Sequence, residues 1–348
     1  MEEPMQLKVT IWNLEHSGRL IDPNPTVQNL DRRDRVRRTI DSIAPDILCL
    51  VEGPKGEQAI SSFCLDVLGG HYSPVLLKQP GDILGYRDSE YQIAGTQWIW
   101  FLIRNSIAQN CRLQSPEVWQ SFVNAKTWDV HHWGREDTSR HSHYRHPQVM
   151  IYRFDNGLEV ELIGVHLKSK INKEKILWDE SNNLHGNYLA MALETRVKLA
   201  TEARNIRQYI DAKFSQLAKP GIMLMGDCND GPGQDYFENL CLFFDLIGNL
   251  QGDVLLAEKF FNHALFDYDA DLRWTAKYRD EILKIPESRN PLLLDHILMS
   301  QPLCSDNFPL CVNEHAGRVE HEAFERENAG SNSKTRTSDH RPVSCVLT

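Results

Sequence analysis

Short runs of consecutive apolar residues recur along this chain, and most of them end in a polar cluster. Leu7 to Trp12, Asp46 to Val51 and Ile222 to Met225 predict buried strands, each bounded by polar residues or proline. Leu292 to Met299 and Pro342 to Leu347 add two late ones. Gln97 to Arg104, Gln148 to Phe154 and Glu159 to His166 supply the middle set. The turn Asp155-Asn156-Gly157 joins the last two as antiparallel neighbours. Helical spacing appears between the strands. Val36, Ile40 and Ile43 share a face that Pro45 terminates, and Ile60, Phe63, Cys64 and Val67 define a helix from about Glu57 to Leu68, stopped by Gly69-Gly70. Asn187 to Phe214 predicts a long helix, with Leu189, Leu193 and Val197 leading into Leu199, Ala203, Ile206 and Ile210.

Antiparallel runs interleaved with a few long helices predict an α/β fold: a four-layer αββα sandwich of two mainly antiparallel sheets with flanking helices. A single domain over 1–348 is expected, because polar strand ends lie near both termini and one site would need both. Two stretches, near 119–146 and 305–337, read as irregular insertions of the kind that form functional rims or mobile segments. The second would hold the last motif of the chain behind a mobile segment.

With 41% apolar and 25% charged residues the chain is of ordinary globular composition, and its net charge of −10 argues against a surface coated with basic groups for nucleic-acid binding. Local basic clusters remain. Arg32, Arg33, Arg35, Arg37 and Arg38 read as the solvated face of a helix. Lys168, Lys170, Lys173 and Lys175 lie beside a histidine-tipped strand. No run is long enough to span a membrane, and Met1-Glu2-Glu3-Pro4 is unlike a signal peptide, so the expected location is cytoplasmic. The eight cysteines include no CxxC pair, and reduced, mostly buried thiols are expected.

The polar clusters carry the chemistry. They are Trp12-Asn13-Leu14-Glu15, Glu52-Gly53, Gly226-Asp227-Cys228-Asn229-Asp230, Leu294-Asp295-His296-Ile297 and Ser338-Asp339-His340-Arg341-Pro342. Acids, amides and imidazoles at strand ends can converge at one sheet edge and hold a hard cation and a phosphate. In this order the five motifs resemble the endonuclease/exonuclease/phosphatase superfamily, the group with the DNase I-like fold, over nearly the whole chain from Asn13 to Pro342. The family fold is itself an αββα sandwich.

The resemblance implies a metal-dependent phosphoric ester hydrolase using Mg²⁺ or Mn²⁺. Glu52 is the first ligand candidate, with Asn13 and Asp339 completing or orienting the shell; the bland reading of Glu52 is a helix cap. It makes His340 the central imidazole, paired with Asp295, and Asp227 a rival general base with Asn229 beside it. Which of His340 and Asp227 activates water stays open. His166, in His166-Leu167-Lys168-Ser169, resembles the family's phosphate-contacting histidine. Arg145 resembles a phosphate-holding arginine of some branches, or is a surface ion pair. Lys168 and Ser169 join Arg145 as substrate-binding candidates.

The histidines at 131, 132, 141, 143 and 146 match no helix-based zinc spacing, and a substrate-contacting loop suits their Arg- and Trp-containing context better. Trp128 and Trp133 can stack on a base or anchor that loop. The catalytic-tyrosine segment of abasic-site enzymes between the Glu52 strand and the Gly-Asp motif has no counterpart. The leading expectation is a nuclease or phosphodiesterase whose partner is nucleic acid or another phosphate ester, with no obligate protein partner. The alternative is a phosphatase of a nucleotide or inositol phosphate, and the third is a catalytically silent binding member of the fold.

Overall fold

The computed structural model describes residues 6–78, 87–91, 95–118, 127–131, 136–181, 183–232, 235–241 and 245–348. Two six-stranded sheets dominate it. The first runs in the order β15 (Val312–Val319), β16 (Val343–Leu347), β1 (Leu7–Asn13), β2 (Ile47–Gly53), β4 (Trp98–Arg104), β3 (Tyr72–Pro74). The second runs β11 (Phe261–His263), β14 (Asp295–Ser300), β10 (Gly221–Asp227), β9 (Glu159–His166), β8 (Gln148–Arg153), β5 (Cys111–Leu113). Each sheet is mixed: β1 with β2 and β9 with β10 are parallel, and the other pairs are antiparallel. Two ribbons, β6 (Trp128–His131) with β7 (Thr138–His141) and β12 (Ala276–Lys277) with β13 (Pro291–Leu292), lie outside the sheets.

The central strands read as unbroken apolar runs because both of their faces are covered. Val9, Ile11, Cys49, Val51, Ile99 and Phe101 of one sheet pack on Met223, Met225, Ile297 and Met299 of the other. The alternate residues face outward. Trp12, Leu48, Leu50 and Trp100 meet Val36, Ile40, Phe63 and Val67 from helix Val27–Ile43 and segment Glu57–Val67. Val165, Ile222, Leu224 and Leu298 meet Leu199, Ala203, Ile206 and Ile210 of the long helix Asn187–Gln216. The expected four-layer αββα order is therefore the observed one.

This alternation also positions the polar strand ends. Counting by twos from the core residues of β1, β9, β10 and β14 leads to Asn13, His166, Asp227 and Asp295, so all four belong to the layer between the sheets. The register sets three of them side by side, with Asp227 opposite His166 on one flank and Asp295 on the other. Gly226 permits this close approach, since a Cβ there would come within 2.0 Å of the Val165 carbonyl oxygen.

Several elements depart from expectation. Leu292 to Met299 is not one strand: it splits into β13 and β14, and the break delivers Asp295 to the sheet edge. In the long helix Leu193 and Val197 are only half-buried, while Ala192, Thr195 and Arg196 are buried. The span 305–337 contains β15, which pairs with β16, and helix His321–Asn328, which packs on helix Val27–Ile43. The last motif is thus held by regular structure. The arginine-rich helix is not merely solvated, because Arg32 is buried. Its guanidinium donates to the carbonyls of Leu14 at 3.0 Å, Glu15 at 2.5 Å and Thr337 at 2.9 Å.

Candidate active site

At the shared end of the two sheets Asp227, Asp295 and His340 form a buried group whose potential ligand atoms lie within 4.8 Å of one another. Asp295 Oδ2 is 2.7 Å from His340 Nδ1, and the acid is fully buried. Thr275 Oγ1 accepts from the Leu294 and Asp295 amides at 3.0 and 3.2 Å, which fixes the strand start. His340 is held from its own segment as well: its amide donates to Ser338 Oγ at 3.1 Å, and Trp12 Nε1 donates to its carbonyl at 2.9 Å. Burial alone lowers the affinity of this imidazole for a proton. The charges of Asp295, Asp227 and Asp339 outweigh that effect and push it up to about 10.

Asp227 accepts two hydrogen bonds and faces a histidine. Asn13 Nδ2 donates to its Oδ2 at 2.8 Å, the Asn229 amide donates to Oδ1 at 2.8 Å, and His166 Nε2 lies 3.5 Å from Oδ2. Burial raises its proton affinity above the ordinary carboxylate range, with the neighbouring Asp295 adding to the rise and His340 opposing it. His166 is driven the other way, to the neutral form, by burial and then by the charges of Arg145 and His340. Its Nδ1 and Asp295 Oδ1 are buried without a hydrogen-bond partner among the described residues.

Glu52 occupies a left-handed conformation (φ 56°) where the pairing of β2 with β4 shifts register. That irregularity breaks the alternation and re-aims the carboxylate. Its Oε2 accepts from the His16 amide at 3.0 Å and from Gln97 Nε2. Gln97 Oε1 in turn accepts from Arg145 Nη2 at 3.0 Å, and Arg145 Nη1 donates to the Leu167 carbonyl at 3.3 Å. Arg145 is therefore neither a simple surface ion pair nor isolated: Gln97 couples it to Glu52. Asn229 (φ 51°) donates from its side chain to the same Leu167 carbonyl at 3.0 Å, tying the loop after β10 to the loop after β9.

The lysine cluster divides. Lys170 is neutralised by Asp230 at 2.5 Å, Glu238 at 2.7 Å and Asp235 at 3.2 Å. Lys168 keeps its ammonium on the neighbouring Ser169 carbonyl at 3.0 Å, and Ser169 Oγ accepts from the Ile171 amide at 3.2 Å, closing a local turn. Neither side chain bonds to the Asp227 group. Arg196 pairs with Asp235, the acid that Lys170 also meets, and stacks on Phe237. Of the histidine-rich stretch, His141 bonds Thr201 and His143 bonds Asn205, both on the long helix, and Trp128 packs edge-on against His143. His132 and Trp133 lie outside the described residues.

Tyr278 was not singled out from the sequence. Its hydroxyl lies 2.9 Å from His340 Nε2 and 2.9 Å from Asp339 Oδ2. All three groups are satisfied when His340 is an imidazolium donating to Asp295 and to the phenol oxygen, and the phenol proton goes to Asp339. Asp339 also faces Arg336 at 3.8 Å and, at 3.5 Å, the Ser338 hydroxyl. Gln97 and Tyr278 left no legible signal of a role, since each acts from a strand end or a loop with no periodic mark.

The fold is shared with known structures. A TDP2 structure from Caenorhabditis elegans aligns with 99% of this chain and 74% of its own, at 14% identity and a TM-score of 0.50. A Danio rerio TDP2, described as complexed with single strand DNA product, aligns over 99% of both chains at 13% identity and a TM-score of 0.50. The chain has the endonuclease/exonuclease/phosphatase fold. A Bacteroides thetaiotaomicron protein described as a member of that family aligns over 99% of this chain and 98% of its own, at 14% identity and a TM-score of 0.47. No protein-family model matches the chain, and no curated protein matches it in sequence. No helix among the described residues is long and apolar enough to cross a membrane.

Proposed function

We propose that this chain is a divalent-metal-dependent phosphodiesterase that cleaves nucleic acid, with the whole of 1–348 serving as one catalytic domain. The observation that carries the reading is the buried Asp295–His340 ion pair, set beside a carboxylate, Asp227, whose proton affinity is raised. A hydrolase needs an electrostatic clamp on the phosphoryl oxygens and a base for water. His340, held as an imidazolium, supplies the clamp. Asp227, oriented by Asn13 and Asn229, takes a proton as water attacks phosphorus and the ester P–O bond breaks, and the leaving alkoxide takes a proton from solvent, so that a phosphomonoester and an alcohol result. His166 and Arg145 bind the phosphate, with Lys168 and Ser169 at the rim.

The donors suit a hard cation. Among the described residues both hydrogen bonds to the Glu52 carboxylate fall on Oε2, leaving Oε1 open, and Asp339 Oδ1 has only the long contact with Ser338. Glu52 and Asp339 would hold Mg²⁺ or Mn²⁺, and Asn13, whose amide is committed to Asp227 and to the Glu15 amide, would orient the shell. When bound, the ion neutralises charge on the phosphoryl group. The Danio rerio TDP2 with its DNA product has this fold, and that supports a nucleic-acid substrate.

The test is a substrate panel with Mg²⁺ or Mn²⁺: single-stranded DNA, duplex DNA, RNA, bis-p-nitrophenyl phosphate and p-nitrophenyl phosphate. Cleavage of at least one polymer together with the diester is expected. Turnover of the monoester alone would replace this reading with a small-molecule phosphatase, and no turnover by a folded protein would leave the silent binding member.

A further inference from the structure

Tyr278 sits on the connection that follows β12, and its ring is partly exposed, at the edge of a pocket of about 350 Å³ that Ser338 and Asp339 also line. The Asn290 side chain donates to its carbonyl at 2.8 Å, and Thr275, three residues earlier, anchors the amide of Asp295. The backbone carrying the phenol is thus fastened to the strand that carries the partner of His340. Its hydroxyl stands 2.9 Å from Nε2, the one nitrogen of His340 that Asp295 leaves over.

We propose that Tyr278 is a catalytic residue of this chain, donating a hydrogen bond to the phosphoryl group during hydrolysis. The inference rests on the phosphodiesterase reading above. A phosphoryl oxygen that accepts from His340 Nε2 must take over the direction now held by the phenol oxygen. It then lies within reach of the phenol proton, which exchanges Asp339 for the phosphoryl oxygen. His340 Nε2 and the phenol become two donors converging on one oxygen, and Asp339 gives up the phenol proton. Charge on that oxygen grows as the pentacovalent transition state forms, so the phenol contributes more there than in the ground state.

Tyr278→Phe keeps the ring and removes the donor. Loss of a single donor to a developing oxyanion typically costs about 10²- to 10³-fold in kcat. The expected result is a fall of that order in kcat on bis-p-nitrophenyl phosphate with KM little changed. Binding, followed by calorimetry on the same protein, should weaken for orthovanadate, which adopts the five-coordinate geometry, and stay constant for inorganic phosphate. Unchanged kcat, or a lower KM at unchanged kcat, would overturn the proposal, the latter making the phenol a mere cap that competes with substrate. Equal vanadate binding by the variant would overturn it too. If the wild-type protein hydrolyses no diester, the phosphodiesterase reading fails and the role of Tyr278 fails with it. An active wild type with an equally active variant removes the tyrosine alone.

Discussion

Asp295 illustrates what one buried charge does here. It is fully buried, 2.7 Å from His340 Nδ1, and its charge is the foremost of those that offset the cost of burying an imidazolium. Asp295→Asn keeps the shape and removes that charge, so turnover should drop by about 10²- to 10³-fold, the range for loss of one electrostatic donor to the transition state. Circular dichroism should still report a folded protein; a variant that unfolds would make the pair structural instead. This pairing was legible through the ordered motifs of the sequence. Tyr278 and Gln97 were not: a phenol or an amide outside a motif looks the same whether it faces solvent or a catalytic histidine.

Among the elements, helix Val27–Ile43 does more than cover a sheet. Through Arg32 it binds the carbonyls following β1 and the Thr337 carbonyl just before the Ser338-Asp339-His340 motif. Arg35 reaches the Glu327 and Ala329 carbonyls, and Arg38 pairs with Glu327 at 2.7 Å. A run of arginines carries no sequence sign of which member is buried, so the solvated reading was wrong for Arg32. Arg32→Met strips three carbonyls, two of them buried, of a charged donor, each such bond being worth about 1.5–3 kcal/mol. Urea denaturation should show a loss of about 3 kcal/mol or more, with activity reduced as well; a loss under about 0.5 kcal/mol would mean the clamp is idle. The central strands were readable because burial on both faces makes them continuously apolar. Strand β15 was missed because most of its residues are exposed or half-buried, and the two- and three-residue strands are too short to show any period.

Across the whole molecule, half-buried histidines couple the fold to pH. Burial lowers His143 and His263 to about 3. His263 accepts from the Leu265 amide and donates to His296, which donates to the Asp230 carbonyl, so an extra proton has no acceptor along this chain. Below about 6.5 the unfolded protein binds protons that the native one refuses, and stability should therefore fall as pH drops from 6.5 toward 3. Each group contributes about 1.4 kcal/mol per pH unit in that window. Urea midpoints at pH 7 and 5 measure the effect, and His143→Gln should flatten it; an unchanged slope would remove His143 from the account.

A single metal-dependent diesterase site built from both sheets, as proposed above, stands or falls with the behaviour of metal-stripped protein. Hydrolysis of bis-p-nitrophenyl phosphate should vanish on chelation, return with Mg²⁺ or Mn²⁺, and stay absent in folded Glu52→Ala whatever metal is added. Full activity after stripping, or an active Glu52→Ala, would mean that no such metal site operates.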